Sequence, residues 1–445
     1  MTTIFVANRG EIALRVIRAV RELGFESAIA VSEPDRDSLW AAAADDVIVL
    51  PGKMARDTYL HVDSILDAAE RLHADAVHPG YGFLSENTDF ARSVQQRGMT
   101  WIGPDPDTID LMGDKAHAIA QARSAGVPTV PGSGGIVATA DEAAEIAAEI
   151  GYPVAIKASA GGGGKGIRIV GNAEELHAQW SVTAHEAAAA FGDGSLYLER
   201  FVSKARHVEV QVFGDGEQFI HLYERDCSLQ RRHQKLVEET PAPNLSAQVR
   251  DRLCASAAAL AASVGYRGAG TVEFLYEPST ESFFFIEMNT RIQVEHPITE
   301  ELLGVDLVRE QISVALGAPL SIRQDALAPR GHVIEVRINA ENPDQGFFPS
   351  PGHIDSLQWP AGPGVRVDAG FTTGDDVTPF YDSLLGKVIV RDTDRTQALA
   401  RADRALGELE AHGVHTTAPF ARRLIQSEKF VEAAHYTDFI EEELL

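Results

Sequence analysis

Phe285-Ile286-Glu287-Met288-Asn289-Thr290-Arg291-Ile292-Gln293-Val294-Glu295-His296 is the stretch on which the reading of this chain turns. In extended backbone, successive side chains point to opposite faces. Glu287, Asn289, Arg291, Gln293 and Glu295 then share one face, with Ile286, Met288, Ile292 and Val294 on the other. Just upstream, residues 270–276 and 282–288 are β-rich runs separated by Glu277-Pro-Ser-Thr-Glu281, which reads as a hairpin. Pairing across a turn near Ser279 sets Glu273 opposite or diagonal to Glu287 on the polar face. Carboxylates so placed repel unless a cation lies between them, and carboxylate oxygens with an Asn carbonyl suit a hard ion such as Mg²⁺. A solvated, charged hairpin face is the competing reading.

The 445 residues, 44% of them hydrophobic and 23% charged, suffice for two or three globular domains. Lys and Arg number 39 against 65 Asp and Glu, and the net charge of -26 disfavours nucleic acid or an anionic membrane as partner. Any polyanion must therefore be gripped locally. Cys227 and Cys254 form no disulfide framework and no metal spacing, which suits a reducing compartment. No signal peptide and no apolar run of membrane-spanning length is found, so a cytoplasmic location is expected.

A strand over 4–7, a turn at Asn8-Arg9-Gly10 and a helix over 11–23 predict a βα unit. Further strands at 27–31 and 47–50, alternating with helical stretches such as 62–72, predict a doubly wound parallel sheet. No Gly-x-Gly-x-x-Gly follows the first strand, so a dinucleotide site is not expected there. His78-Pro-Gly-Tyr-Gly-Phe-Leu-Ser-Glu86 is dense in turn formers and lies where open sheets bind ligands, although a rigid structural turn explains it equally well. Lys115, ahead of a helix over 117–125, is either a phosphate ligand or a solvated lysine. Residues 126–135 read as a hinge.

Gly161, Gly163 and Gly166 satisfy Gly-x-Gly-x-x-Gly, but a strand over 167–170 follows where a Rossmann fingerprint would open a helix. A glycine-rich flap between strands remains, with Lys157 at its base, against a flexible linker as the alternative. Residues 196–202 and 207–213 read as strands around a short loop, with Glu199 placed to read an adenine. Gln230-Arg-Arg-His-Gln-Lys235 is the densest basic run, an anion grip or a solvated charge run. Helices over 246–263 and 307–316 and a linker over 317–330 lead to a strand-rich last third, where Arg337 shares a face with Glu335.

The runs 287–296, 78–86, 231–235 and 337–341 resemble the biotin carboxylase component of biotin-dependent carboxylases, and the likeness extends along essentially the whole chain. The resemblance implies an ATP-grasp fold of α/β (α+β) class. Its parts would be an N-terminal doubly wound domain (1–113), an ATP-grasp domain (114–317) with a mobile lid over about 131–203, and a C-terminal strand-rich domain (331–445). It implies ATP contacts from Lys115, Lys157, Gly163, Gly164, Glu199, His207, Gln230, His233 and Leu275, with Lys235 near the transferred phosphate. Glu273, Glu287 and Asn289 would hold two Mg²⁺ or Mn²⁺. Arg291, Gln293 and the Val294 backbone would form a bicarbonate pocket with Glu295 as base, while Arg337 would stabilise the biotin enolate beside Tyr81.

The implied reaction is ATP-dependent carboxylation of biotin through carboxyphosphate. No Met-Lys-Met biotinylation signal occurs among the five methionines. Biotin is therefore expected on a separate carrier protein, with a carboxyltransferase partner and a homodimer as further expectations, and the chain as a free-standing subunit or an excised domain. Lys165, Ile167 and Thr240 depart mildly from the family pattern. Another ATP-grasp ligase joining a carboxylic acid to an amine, or a nucleotide-binding scaffold without catalysis, are the alternatives.

Overall fold

A computed structural model describes residues 1–159, 166–232 and 234–445. The expected ATP contacts Gly163, Gly164 and His233, with Lys165 of the flap, lie outside the described residues. The chain divides into two compact units, one of residues 1–127, 206–274 and 287–445, the other of 128–205 and 275–286.

In the first unit, β1 (Thr3–Val6), β2 (Glu26–Ser32), β3 (Asp46–Leu50), β4 (Ala76–His78) and β5 (Thr100–Trp101) form a parallel sheet in the order β3-β2-β1-β4-β5. Ile4, Phe5 and Val6 are buried on both faces of that sheet, as parallel strands between helices require. The helix Gly10–Glu22 buries Ile12, Val16 and Ala19, and Gly24 (φ +75°) follows it. The predicted doubly wound sheet is present. The 78–86 turn is tied to the tip of β1, because Asn8 Nδ2 donates to the Pro79 and Tyr81 carbonyls at 2.7 Å each. Gly80 (φ +63°) allows this approach, since a Cβ there would lie 2.9 Å from Asn8 Nδ2.

The second unit holds β6 (Val154–Ala158), β7 (Ile167–Val170) and β8 (Leu196–Arg200) in the order β7-β6-β8, antiparallel throughout. Helices Ala140–Ile150 and Ala173–Phe191 bury Ala143, Ala147, Leu176 and Ala187 in the same core as Val154, Ile156 and Leu198. The expected return from the glycine run to a strand is present, with Lys157 opposite Ile167. The strands expected at 196–202 and 207–213 around a short loop are present, but they do not pair with each other. β8 pairs with β6, and Arg206 begins a strand of the other unit, because Leu196 and Leu198 serve a different core from Val208, Val210 and Val212. Thr129 bridges to Phe285, whose N–H donates to the Pro128 carbonyl at 2.7 Å. These contacts close the unit with its second segment.

The larger sheet comprises β9 (Arg206–Asp215), β10 (Phe219–Arg231), β11 (Gln234–Thr240), β12 (Arg267–Glu277), β13 (Ser282–Asn289), β14 (His332–Asn339) and strands Val365–Ala369 and Leu384–Asp392. Their order is β13-β12-β9-β10-β11-β14, then 384–392, then 365–369. The strand-rich reading of the last third missed the helices Ala418–Ile425, Glu428–Val431 and Phe439–Glu443. Phe420, Leu424, Phe430 and Phe439 from these helices pack on Val336, Val388 and Val390. They are too short for periodicity to declare them.

Candidate active site

Strand alternation in β9 puts His207, Glu209 and Gln211 on one face, and β10 lays Arg225 directly opposite Glu209. Arg225 is wholly buried and every donor direction is used. Its Nε reaches Glu209 at 2.7 Å, Nη1 reaches Gln211 (2.7 Å) and Thr299 (3.0 Å), and Nη2 reaches Thr271 (3.1 Å) and Gln293 (2.7 Å). This planar fork fixes the floor of the site.

Lys235, two residues into β11, sits above it. Its ammonium donates to Glu209 at 2.6 Å, Glu273 at 3.0 Å and Glu295 at 2.6 Å. Burial works against its charge, but the three carboxylates outweigh that and hold its pKa well above the usual lysine range. The partners respond in kind. Burial pushes each carboxyl upward, yet Lys235 first, with Arg225 at Glu209 and His207 at Glu273, holds both well below the ordinary range. For Glu295, Lys235 and Arg337 likewise overcome burial, and its carboxyl is held down. Arg337 reaches Glu295 at 2.9 Å and Glu238 at 2.6 Å. Burial raises Glu238 to about 7 despite Arg337.

His207 Nε2 lies 3.1 Å from Glu273 and 3.6 Å from Glu209, and Gln230 Nε2 meets the other ring nitrogen at 3.0 Å. Burial lowers the imidazole's pKa, but Glu273 outweighs it and raises the ring to about 9. Much of the cation demand of Glu273 is thus met by Lys235 and His207, where the sequence reading assigned it to metal alone. Asn289 and Gln293 also donate to Glu273, at 2.9 Å each. The Glu287 side chain makes no hydrogen bond or ion pair among the described residues. Loss of water contact first, and the charge of Glu273 second, push its pKa up.

The alternating row needs one correction: β13 ends at Asn289, and residues 290–295 run irregularly into the helix His296–Leu303. Asn289, Gln293 and Glu295 still meet the network. Arg291 turns back to Asn289 Oδ1 (2.9 Å) and to Glu86 (3.0 Å), which also accepts from the Thr290 N–H at 3.1 Å. The 78–86 turn thereby anchors the 290–295 loop through Glu86. The basic run 230–235 does not act as one grip. Gln230 and Lys235 face the site as cross-strand partners, whereas Arg231 stacks on Phe347 (4.2 Å) and lies 3.6 Å from Glu341. Irregular pairing in β10 between Asp226 and Gln230 sets these directions.

Tyr81 donates its hydroxyl to Glu11, and the Val294 carbonyl accepts from Lys387 at 2.7 Å. Lys115 is the exposed first residue of the helix Lys115–Ser124, and its charge is felt at Glu287. In the second unit, Lys157 and Glu199 form an ion pair, and Leu275 packs against Val202, Ala205 and Phe284. Glu209, Arg225, Glu238 and Lys387 escaped the sequence reading, and Glu86 entered it only as the last residue of the 78–86 turn. Only Glu209 carried a signal, as the middle polar residue of an alternating strand.

The arrangement offers oxygen donors for a hard cation, an ionised carboxylate flanked by two fixed cations, and a positive rim for an anion. Family models match 1–109 (biotin carboxylase, N-terminal domain), 114–323 (carbamoyl-phosphate synthase L chain, ATP binding domain) and 335–442 (biotin carboxylase C-terminal domain). The chain is 48% identical to biotin carboxylase 1 of Bacillus subtilis over 439 residues, 98% of each chain. It is 47% identical to the biotin carboxylase of Pseudomonas aeruginosa over 443 residues, covering 99% of this chain and 98% of that one. Among solved structures it is similar to the biotin carboxylase domain dimer of Hydrogenobacter thermophilus 2-oxoglutarate carboxylase in complex with MgADP, ADP and bicarbonate. There the TM-score is 0.89 at 45% identity, covering 99% and 97%.

Proposed function

The chain belongs to the biotin carboxylase family, and on that premise we propose that it carboxylates biotin on a separate carrier protein, consuming ATP and bicarbonate. The observation that carries this reading is Glu295, a buried carboxylate kept ionised between Lys235 and Arg337. An ionised carboxylate is the competent form of a general base, and it takes the bicarbonate proton as the oxygen attacks the γ-phosphate. Arg291, Gln293 and the Val294 backbone hold the anion. Lys235 neutralises charge on the transferred phosphate, and positioning plus neutralisation supply most of what such a transfer needs. Arg337 then faces the ureido oxygen of biotin as charge develops on it, with Tyr81 beside the ring.

The donor set fits a divalent cation: Glu287 is raised by burial and then by its neighbour Glu273, and it forms no ion pair among the described residues. Glu273, Glu287 and the Asn289 amide oxygen would hold Mg²⁺ or Mn²⁺, two in all. Bound there, the metal would neutralise the triphosphate and orient it. Lys115, Lys157, Glu199, His207, Gln230 and Leu275, with Gly163, Gly164 and His233, are the assigned nucleotide contacts. We read the domains as 1–113, 114–317 and 331–445. A lid over about 131–203 is supported by the separate compactness of 128–205 with 275–286. The carboxyltransferase partner and a homodimer complete the assignment. The test is ADP release with Mg²⁺: bicarbonate and biotin together should raise it strongly, and ATP hydrolysis indifferent to both would refute the reading.

A further inference from the structure

Lys387 is fully buried in the strand Leu384–Asp392, directly opposite Arg337 on one neighbouring strand and Asp368 on the other. Two like charges facing each other across a ladder destabilise a sheet unless carboxylates lie between them. Here Glu335 and Asp368 share the neighbourhood, and Glu11 lies 3.1 Å from the Lys387 ammonium. Burial disfavours the charged form, but Glu11 and then Glu335 and Asp368 keep Lys387 protonated.

That ammonium serves two groups. It donates to the Val294 carbonyl at 2.7 Å, one residue before the base Glu295, and it pairs with the Glu11 carboxylate that accepts the Tyr81 hydroxyl. The peptide is planar, so fixing the Val294 oxygen also fixes the direction of the Glu295 N–H on the opposite side. Glu295 is then held from two directions, its carboxylate by Lys235 and Arg337 and its backbone by Lys387.

We infer that Lys387 is a positioning residue that holds the Val294–Glu295 peptide in register for bicarbonate and, through Glu11, links it to the biotin-side Tyr81. Lys387 does not touch the reacting atoms and acts through the residues it holds. This inference rests on the proposed function above, and the experiment separates the two. The full-length chain is assayed for ADP release with Mg²⁺, ATP, bicarbonate and free biotin, as wild type, Lys387→Met, Lys387→Arg and Glu11→Gln.

Lys387→Met is expected to raise KM for bicarbonate about tenfold and lower biotin-stimulated kcat by about a hundredfold, with KM for ATP within about twofold of wild type. Lys387→Arg recovers part of both losses. Glu11→Gln shifts KM for biotin more than KM for bicarbonate. Parallel changes in KM for ATP and bicarbonate, or an unchanged KM for bicarbonate, would overturn the inference. Should Lys387→Met fail to fold, the double variant Lys387→Met/Glu11→Gln removes both members of the buried pair and is judged by the same ratio. A wild type without biotin-stimulated ADP release would remove the functional reading and this inference together. An active wild type with an indifferent Lys387→Met removes this inference alone.

Discussion

Lys235 and Lys157 are both proposed to serve the nucleotide, yet the protein holds them in opposite ways. Lys235 is 12% exposed and bonded to three carboxylates that are themselves buried. Lys157 is 23% exposed and, among the described residues, is paired with Glu199 alone, itself 19% exposed. Removing a buried ion leaves its partners uncompensated in a medium that cannot solvate them, whereas a partly exposed pair hands more of its charge back to water. In the first arrangement the geometry exists before any ligand arrives. The second keeps a lysine available with little demand on the fold.

The largest test of this contrast is Glu295→Gln, which keeps shape and removes the proposed base. Bicarbonate-dependent ADP release should fall about 10³–10⁴-fold in steady-state assays. A loss below tenfold would mean the flanked carboxylate is structural. Next, Lys235→Met should destabilise the fold by about 3–5 kcal/mol, measured by chemical denaturation, because three carboxylates are left facing one another.

Glu239 provides a buried control outside the site. It pairs with His332 at 2.7 Å and Arg395 at 2.7 Å, and although burial opposes ionisation, these partners lower it to about 2. A depressed carboxyl contributes stability that is present above its ordinary value near 4.5 and lost as pH falls towards 2. Glu239→Gln should thus cost about 3 kcal/mol at pH 7 and nothing near pH 2, with activity otherwise retained in the folded fraction. A pH-independent difference would break this account. The smallest effect is expected at Lys157→Met: KM for ATP up about tenfold, stability within about 1 kcal/mol. A stability loss matching that of Lys235→Met would erase the contrast.

Legibility in the sequence followed the same division. The parallel sheet was readable because Ile4–Val6 and its sister strands are apolar without interruption, and the hairpin was readable from its β-branched and aromatic runs. Asn289, Gln293 and Glu295 were found by alternation, although the strand stops at Asn289, because the following loop returns the later side chains to the same network. The role of Glu86, and Arg225 and Lys387 altogether, stayed hidden. Each is defined by a partner distant in sequence (Arg291, Gln293 and Val294), and no local period reports such a partner. The split of the basic run was equally invisible, since irregular strand pairing in β10 leaves no compositional trace. Helices in the final thirty residues were lost for a simpler reason, being one or two turns long.

The second compact unit is built from two pieces of chain, 128–205 and 275–286, stitched at Thr129 and Phe285. It is therefore not a portable cassette. An engineer who transplants the glycine-bearing segment alone would leave Val202 and Ala205 without Leu275 and Phe284. Any graft between relatives must exchange both pieces at once, and natural recombination with a single breakpoint faces the same obstacle.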